Sequence, residues 1–188
     1  MFITVTIIFF YFYSFFSRFH LFVSHSLFTI LSVPKNMSTA AAHDISCIFC
    51  KIIKGDIPCF KLFETKHVLA FLDVQPTARG HTLIIPKYHG ARLTEIPDEY
   101  LADILPIAKK VSKLLGVEGE GLDGVGYNIL QNNGRIAHQE VGHVHFHVIP
   151  KRDSATGLSM SWPAEATDFD KLGKLHKELL AKLEKQEQ

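Results

Sequence analysis

The sequence predicts an α+β domain built on an antiparallel five-stranded sheet, with one central helix and one C-terminal helix. Three observations predict it. Five short runs of β-branched, aromatic and other apolar residues are separated by turn-forming residues. Two longer segments carry apolar residues at helical spacing. Finally, residues 143–147 alternate histidine with apolar side chains, the period of a half-buried strand.

In chain order, residues 47–53 form a short apolar turn of helix, closed by Gly55 and Pro58. Residues 60–64 and 67–74 read as two strands joined by the polar turn Thr65-Lys66. A loop over 75–80 leads to a strand at 81–85, stopped by Pro86. Asp98 has the capping character to begin a helix, with Leu101, Ile104, Leu105, Ala108, Val111 and Leu115 on one stripe and Gly116 at its end. Pro106 inside that stripe should kink or split it. After a glycine-rich loop over 117–126, the last two strands run over 127–131 and 141–149. Residues 154–166 are irregular. Thr167 or Asp168 then caps a final helix, whose Phe169, Leu172, Leu175, Leu179, Leu180 and Leu183 are expected to face inward.

Size and charge narrow the function classes. At 188 residues the chain is expected to hold one domain, spanning 47–152. A flexible lead-in over 37–46 precedes it, and an irregular segment and helix over 153–188 pack on the domain or on a dimer partner. The formal net charge of +1 leaves no electrostatic footprint for nucleic acid. Three cysteines do not make a secreted disulfide scaffold, so a reducing compartment is expected, the cytoplasm and also the nucleus. Residues 1–36 differ in composition and hold nine of the 15 phenylalanines. No Lys or Arg precedes Arg18, unlike a signal peptide, and the apolar run is short for a spanning helix. The stretch reads as a translated leader or intron, with an ordinary start at Met37; a membrane anchor and a targeting peptide are the alternatives. A membrane partner is expected only if residues 1–36 belong to the native protein.

On a strand, His143, His145 and His147 point to one face, and Val144, Phe146 and Val148 to the other. Successive imidazoles then sit roughly 6–7 Å apart, and repulsion between charged rings should leave a mixture of protonation states. Such a row suits nucleophilic and acid–base work at phosphorus. A metal cluster is the rival reading, and Cys47-x-x-Cys50 by itself is half of one.

The run His143-Val144-His145-Phe146-His147-Val148-Ile149 resembles the motif of the histidine triad (HIT) family of nucleotide hydrolases and transferases. The likeness runs from about Cys47 to at least Lys151 and is greatest for the Hint branch, the fungal adenosine 5′-monophosphoramidases in particular. It continues through Trp162-Pro163 to the C-terminal helix. The resemblance implies the same fold and a homodimeric hydrolase that cleaves the P–N bond of adenosine phosphoramidates, with no cofactor needed for the chemistry. It implies His145 as nucleophile, His147 as a phosphate contact, and His143 and His81 as further active-site histidines. Asp73 would accept the ribose hydroxyls, Phe49 and Phe71 would wall the purine, and Asn132 and Gln139 would contact the nucleotide. Glu140 departs from relatives that carry Ser or Thr there; it must face away, meet an amine-bearing leaving group, or be protonated. Cys47, Cys50, His89 and His143 match a zinc site of some relatives. Other activities left open are a nucleotide-binding interaction module, a dinucleoside polyphosphate hydrolase and a nucleotidyltransferase; His147 argues against the last, which typically has Gln there.

Overall fold

The computed structural model of the chain describes residues 43–119, 121, 124–161 and 163–186. The expectations for residues 1–36 and for most of the lead-in lie outside the described residues, as does Trp162. Among the described residues no helix is long and apolar enough to cross a membrane.

Five strands form the sheet: β1 (Lys61–Glu64), β2 (Val68–Leu72), β3 (Thr82–Pro86), β4 (Gly126–Gln131) and β5 (Phe146–Lys151). Their order is β1-β2-β3-β5-β4, and every neighbouring pair is antiparallel. The turn between β1 and β2 is closed by Thr65, whose hydroxyl accepts hydrogen bonds from the amides of His67 and Val68. The helices are α1 (Ile48–Lys54), α2 (Asp98–Leu101), α3 (Ile104–Leu114) and α4 (Phe169–Gln186). Gly55 ends α1 in the left-handed region at φ 89°, a conformation costly for other residues.

The alternation of side chains along the strands sorts the core into two layers. Val68, Ala70, Ile84 and Val148 meet Ile104, Ile107, Ala108 and Val111 of α3 on one face. On the other, Leu69, Phe71, Leu83 and Ile85 pack under Phe49 of α1. Each fully buried Val or Ile here contributes about 1.5–3 kcal/mol of transfer free energy. Because Leu83 pairs with His147 in register, and Phe71 with Leu83, His147 of β5 belongs to the α1 face.

Three expectations are corrected. The central helix does split, but at 102–103 rather than at Pro106. The break places Pro106 in the first turn of α3, where its missing N–H has no helical partner to lose. The triad strand begins only at Phe146, because residues 141–143 are bent, with the His143 amide donating to Val141 O at 2.9 Å. Asp168 caps α4 as expected, accepting from the amides of Asp170 and Lys171. The apolar stripe of α4 is nevertheless left open by the rest of the described domain: α4 buries none of its residues, and Phe169 is 80% exposed. An amphipathic period specifies a face to be covered without saying which molecule covers it.

Candidate active site

The triad divides between two sites. His145 and His147 line a cavity of about 540 Å³ on the α1 face. His143 is fully buried and turned to the cysteines instead.

His145 is held by its own backbone neighbourhood. Its Nδ1–H donates to the carbonyl of His143 at 2.6 Å, which leaves the Nε2 lone pair for the cavity. Phe49 stands edge-on against the ring, centroid to centroid 5.4 Å. Burial lowers the pKa of His145, opposed by that backbone hydrogen bond, so the ring is neutral near pH 7. A neutral imidazole with its far nitrogen protonated and its near nitrogen bare is a competent nucleophile.

His147 is oriented by a second chain of hydrogen bonds. The Thr77 amide donates to His81 Nδ1 at 3.3 Å, which assigns the His81 proton to Nε2. That Nε2–H donates to His147 Nδ1 at 2.9 Å, so the His147 proton sits on Nε2. Burial first, and then the neighbouring His145 and His81, push His147 down to about 4. Burial also lowers His81, partly offset by Asp73, whose Oδ2 lies 3.5 Å from His81 Nδ1. The expected mixture of protonation states is thereby corrected to a set of neutral rings, because desolvation outweighs every other influence on them.

The rest of the cavity follows from α1, β2 and two loops. Phe49 and Phe71, in edge contact at 6.0 Å, are core residues and cavity wall at once. Ile52, Ile57, Pro58 and Phe60 extend this apolar wall. Asp73 stands at its edge, with Oδ1 accepting from the Gln75 amide at 2.8 Å. The segment after α1 and the Thr77 amide escaped the sequence reading, since neither carries a chemical signature of its own. His138 also lines the cavity, in the left-handed region at φ 63°. An unusual backbone angle leaves no mark in a histidine.

Asn132 and Gln139 stand beside the cavity rather than in its lining, with their side-chain amides turned to nearby backbone. Asn132 Nδ2 donates to the carbonyl of His138. Gln139 is buried, with Nε2 donating to Ala91 O at 2.7 Å and Val141 O at 3.0 Å, and Oε1 accepting from the Gly134 amide at 2.6 Å. Both amides brace the loop that carries His138 and Glu140 to the cavity.

The second site gathers Cys47, Cys50, His89 and His143, whose ligand atoms lie within 4.8 Å of one another. His143 Nδ1 is 3.5 Å from Cys47 Sγ and 3.7 Å from Cys50 Sγ. His89 Nδ1 is 3.4 Å from Cys50 Sγ and 3.3 Å from His143 Nδ1. A tetrahedral zinc with bonds of about 2.3 Å to sulfur and 2.0–2.1 Å to nitrogen requires edges of about 3.6 and 3.3 Å. The donors therefore fit the ion. His143 Nε2–H donates to Pro86 O at 2.9 Å, the outer contact that turns Nδ1 inward. Burial raises the Cys50 thiol, so its thiolate needs a cation in reach. The expected catalytic position of His143 is corrected: no part of it lines the cavity.

Comparison with known proteins places this geometry. The HIT domain matches residues 54–154. Adenosine 5′-monophosphoramidase HNT1 of Saccharomyces cerevisiae is 66% identical over 148 residues, covering 79% of this chain and 89% of that protein. The Schizosaccharomyces pombe protein of the same description is 53% identical over 139 residues, covering 74% of this chain and 99% of its own. Among solved structures, the histidine triad nucleotide-binding protein from Candida albicans superposes with a TM-score of 0.73 at 66% identity, covering 74% of this chain and 98% of that one.

Proposed function

The chain belongs to the HIT family, and from that premise we propose that it is an adenosine 5′-monophosphoramidase, releasing AMP and an amine from a P–N bond. One observation carries this reading: a neutral His145 held through Nδ1 presents Nε2 to a cavity with an apolar wall and a carboxylate at its edge. Adenine packs on Phe49 and Phe71, the ribose hydroxyls donate to Asp73, and the α-phosphorus faces His145.

His145 Nε2 attacks phosphorus as the P–N bond breaks and its electron pair returns to nitrogen, which takes a proton from solvent at the open rim. The Nδ1–H bond to the His143 carbonyl stabilises the charge on the nucleotidyl-imidazolium that forms. His147 Nε2–H meets the phosphoryl oxygens, where negative charge grows. Water then attacks phosphorus, loses a proton to solvent, and releases AMP and neutral His145. Among the described residues, the cavity lining holds Asp73 and Glu140 but no Lys or Arg. That inventory favours a monophosphate ester over dinucleoside polyphosphates, whose extra charges would lack partners.

The Cys47, Cys50, His89 and His143 cluster is read as a structural zinc site. Zinc there supplies no step; it ties α1 to the approach of β5. A homodimer is the proposed assembly, supported by the uncovered α4 stripe and by edge strand β4, where Tyr127 and Ile129 are exposed. The free thiols suit a reducing compartment, proposed to be the cytoplasm. Turnover of an adenosine 5′-phosphoramidate with an uncharged amine tests the activity. AMP release faster than from diadenosine polyphosphates is expected; the opposite order would overturn the assignment.

A further inference from the structure

We propose that Glu140 selects the leaving group, favouring adenosine phosphoramidates whose amine portion carries a positive charge. The inference rests on the phosphoramidase reading above and adds a substrate class to it. Three observations support it. Glu140 is exposed, lines the same cavity as His145 and His147, and has no hydrogen-bond or ion-pair partner among the described residues. Among the described residues, the cavity lining has no Lys or Arg to neutralise it.

The backbone at Glu140 is also anchored. Its neighbour Gln139 is buried and makes three side-chain hydrogen bonds to backbone groups, while Val141 packs against the cluster under α1. With both neighbours anchored, the backbone at Glu140 is fixed, so its carboxylate stays within one side-chain length of the cavity rim.

The geometry of the reaction places the amine on that side. Adenine takes the apolar wall of α1 and the segment after it, Asp73 takes the ribose, and His145 approaches phosphorus. A displaced group leaves opposite its attacker, and the lining that remains is the open rim formed by Thr77, His138 and Glu140. A carboxylate there attracts a cation borne by the departing amine and repels a carboxylate or sulfonate. An ion pair at an exposed rim changes rates by about fivefold.

The test uses the full chain and three adenosine 5′-phosphoramidates differing only in the amine. These are (2-aminoethyl)trimethylammonium, its uncharged isostere 3,3-dimethylbutylamine, and β-alanine. Wild type should show kcat/KM in the order cationic, neutral, anionic. In Glu140→Gln the cationic-to-neutral ratio should fall about fivefold, and in Glu140→Lys it should invert. The wild-type preference should also shrink as salt rises from about 0.05 to 0.5 M, through screening. Equal ratios in wild type and both variants would overturn the role of Glu140 while leaving the phosphoramidase reading intact. Failure of wild type to cleave any of the three would instead overturn the reading on which the proposal rests.

Discussion

His143 and His145 are two residues apart and share one motif, yet their surroundings give them opposite work. His143 has both nitrogens committed, Nε2 to Pro86 O and Nδ1 among two thiols and His89. His145 commits only Nδ1 and keeps Nε2 for the cavity. The side chain is the same; what differs is how many of its nitrogens the fold uses. That difference makes one imidazole part of the scaffold and the other a reagent.

The largest expected effect sharpens the contrast. Replacing His145 by Ala should lower kcat by on the order of 10⁴–10⁶-fold, as loss of a sole nucleophile does, with nucleotide affinity and melting temperature close to wild type. Titration with AMP beside single-turnover kinetics would check both halves. Strong residual turnover would erase the distinction between the two histidines.

The opposite pattern is expected on the other side. Purified protein should carry close to one zinc per chain, and its removal should lower the melting temperature by about 10 °C or more, ahead of any loss of chemistry at low temperature. Cys47→Ser and Cys50→Ser should behave alike. A metal-free protein with an unchanged melting curve would reduce the cluster to buried side chains.

Much of this was legible in the sequence, and the limits have physical causes. Strands β1 to β5 were found because period-two alternation survives in a sheet covered mainly by one helix on each face. The pairing of His143 with Cys47 was available only through resemblance, since 96 residues separate them and spacing alone cannot bring them together. The split before Pro106 was expected within a few residues, because proline fixes what it forbids more sharply than where the chain yields. The bend before Phe146 and the bracing by Gln139 were hidden, because both depend on contacts with Gly90, Ala91 and Gly134 across the fold. For α4 the stripe was legible and its partner was not.

Smaller effects refine the cavity half of the comparison. Asp73 should make ribonucleotide substrates at least about tenfold better than their 2′-deoxy counterparts, the cost of one hydrogen bond to a charged acceptor. Equal kcat/KM on the two sugars would remove Asp73 from the ribose site. Acid should weaken the cavity half through His147. Burial holds it at about 4 in the folded chain, below the ordinary 6.5. Between those values the unfolded chain binds a proton that the folded chain excludes, so this contribution to stability is full above pH 6.5 and declines as pH falls toward 4. Urea midpoints measured from pH 7.5 to 4.5 should fall accordingly, and a flat series would mean that the ring is not desolvated.

The account turns on a covalent bond to one nitrogen. Acid-free quenching during turnover of an adenosine phosphoramidate, followed by peptide mass spectrometry, would locate the trapped nucleotidyl group. The account predicts AMP linked to His145 and to no other residue, with no adduct formed by His145→Ala. An adduct on His147 or His143, or turnover with no adduct under conditions where the intermediate is stable, would contradict it.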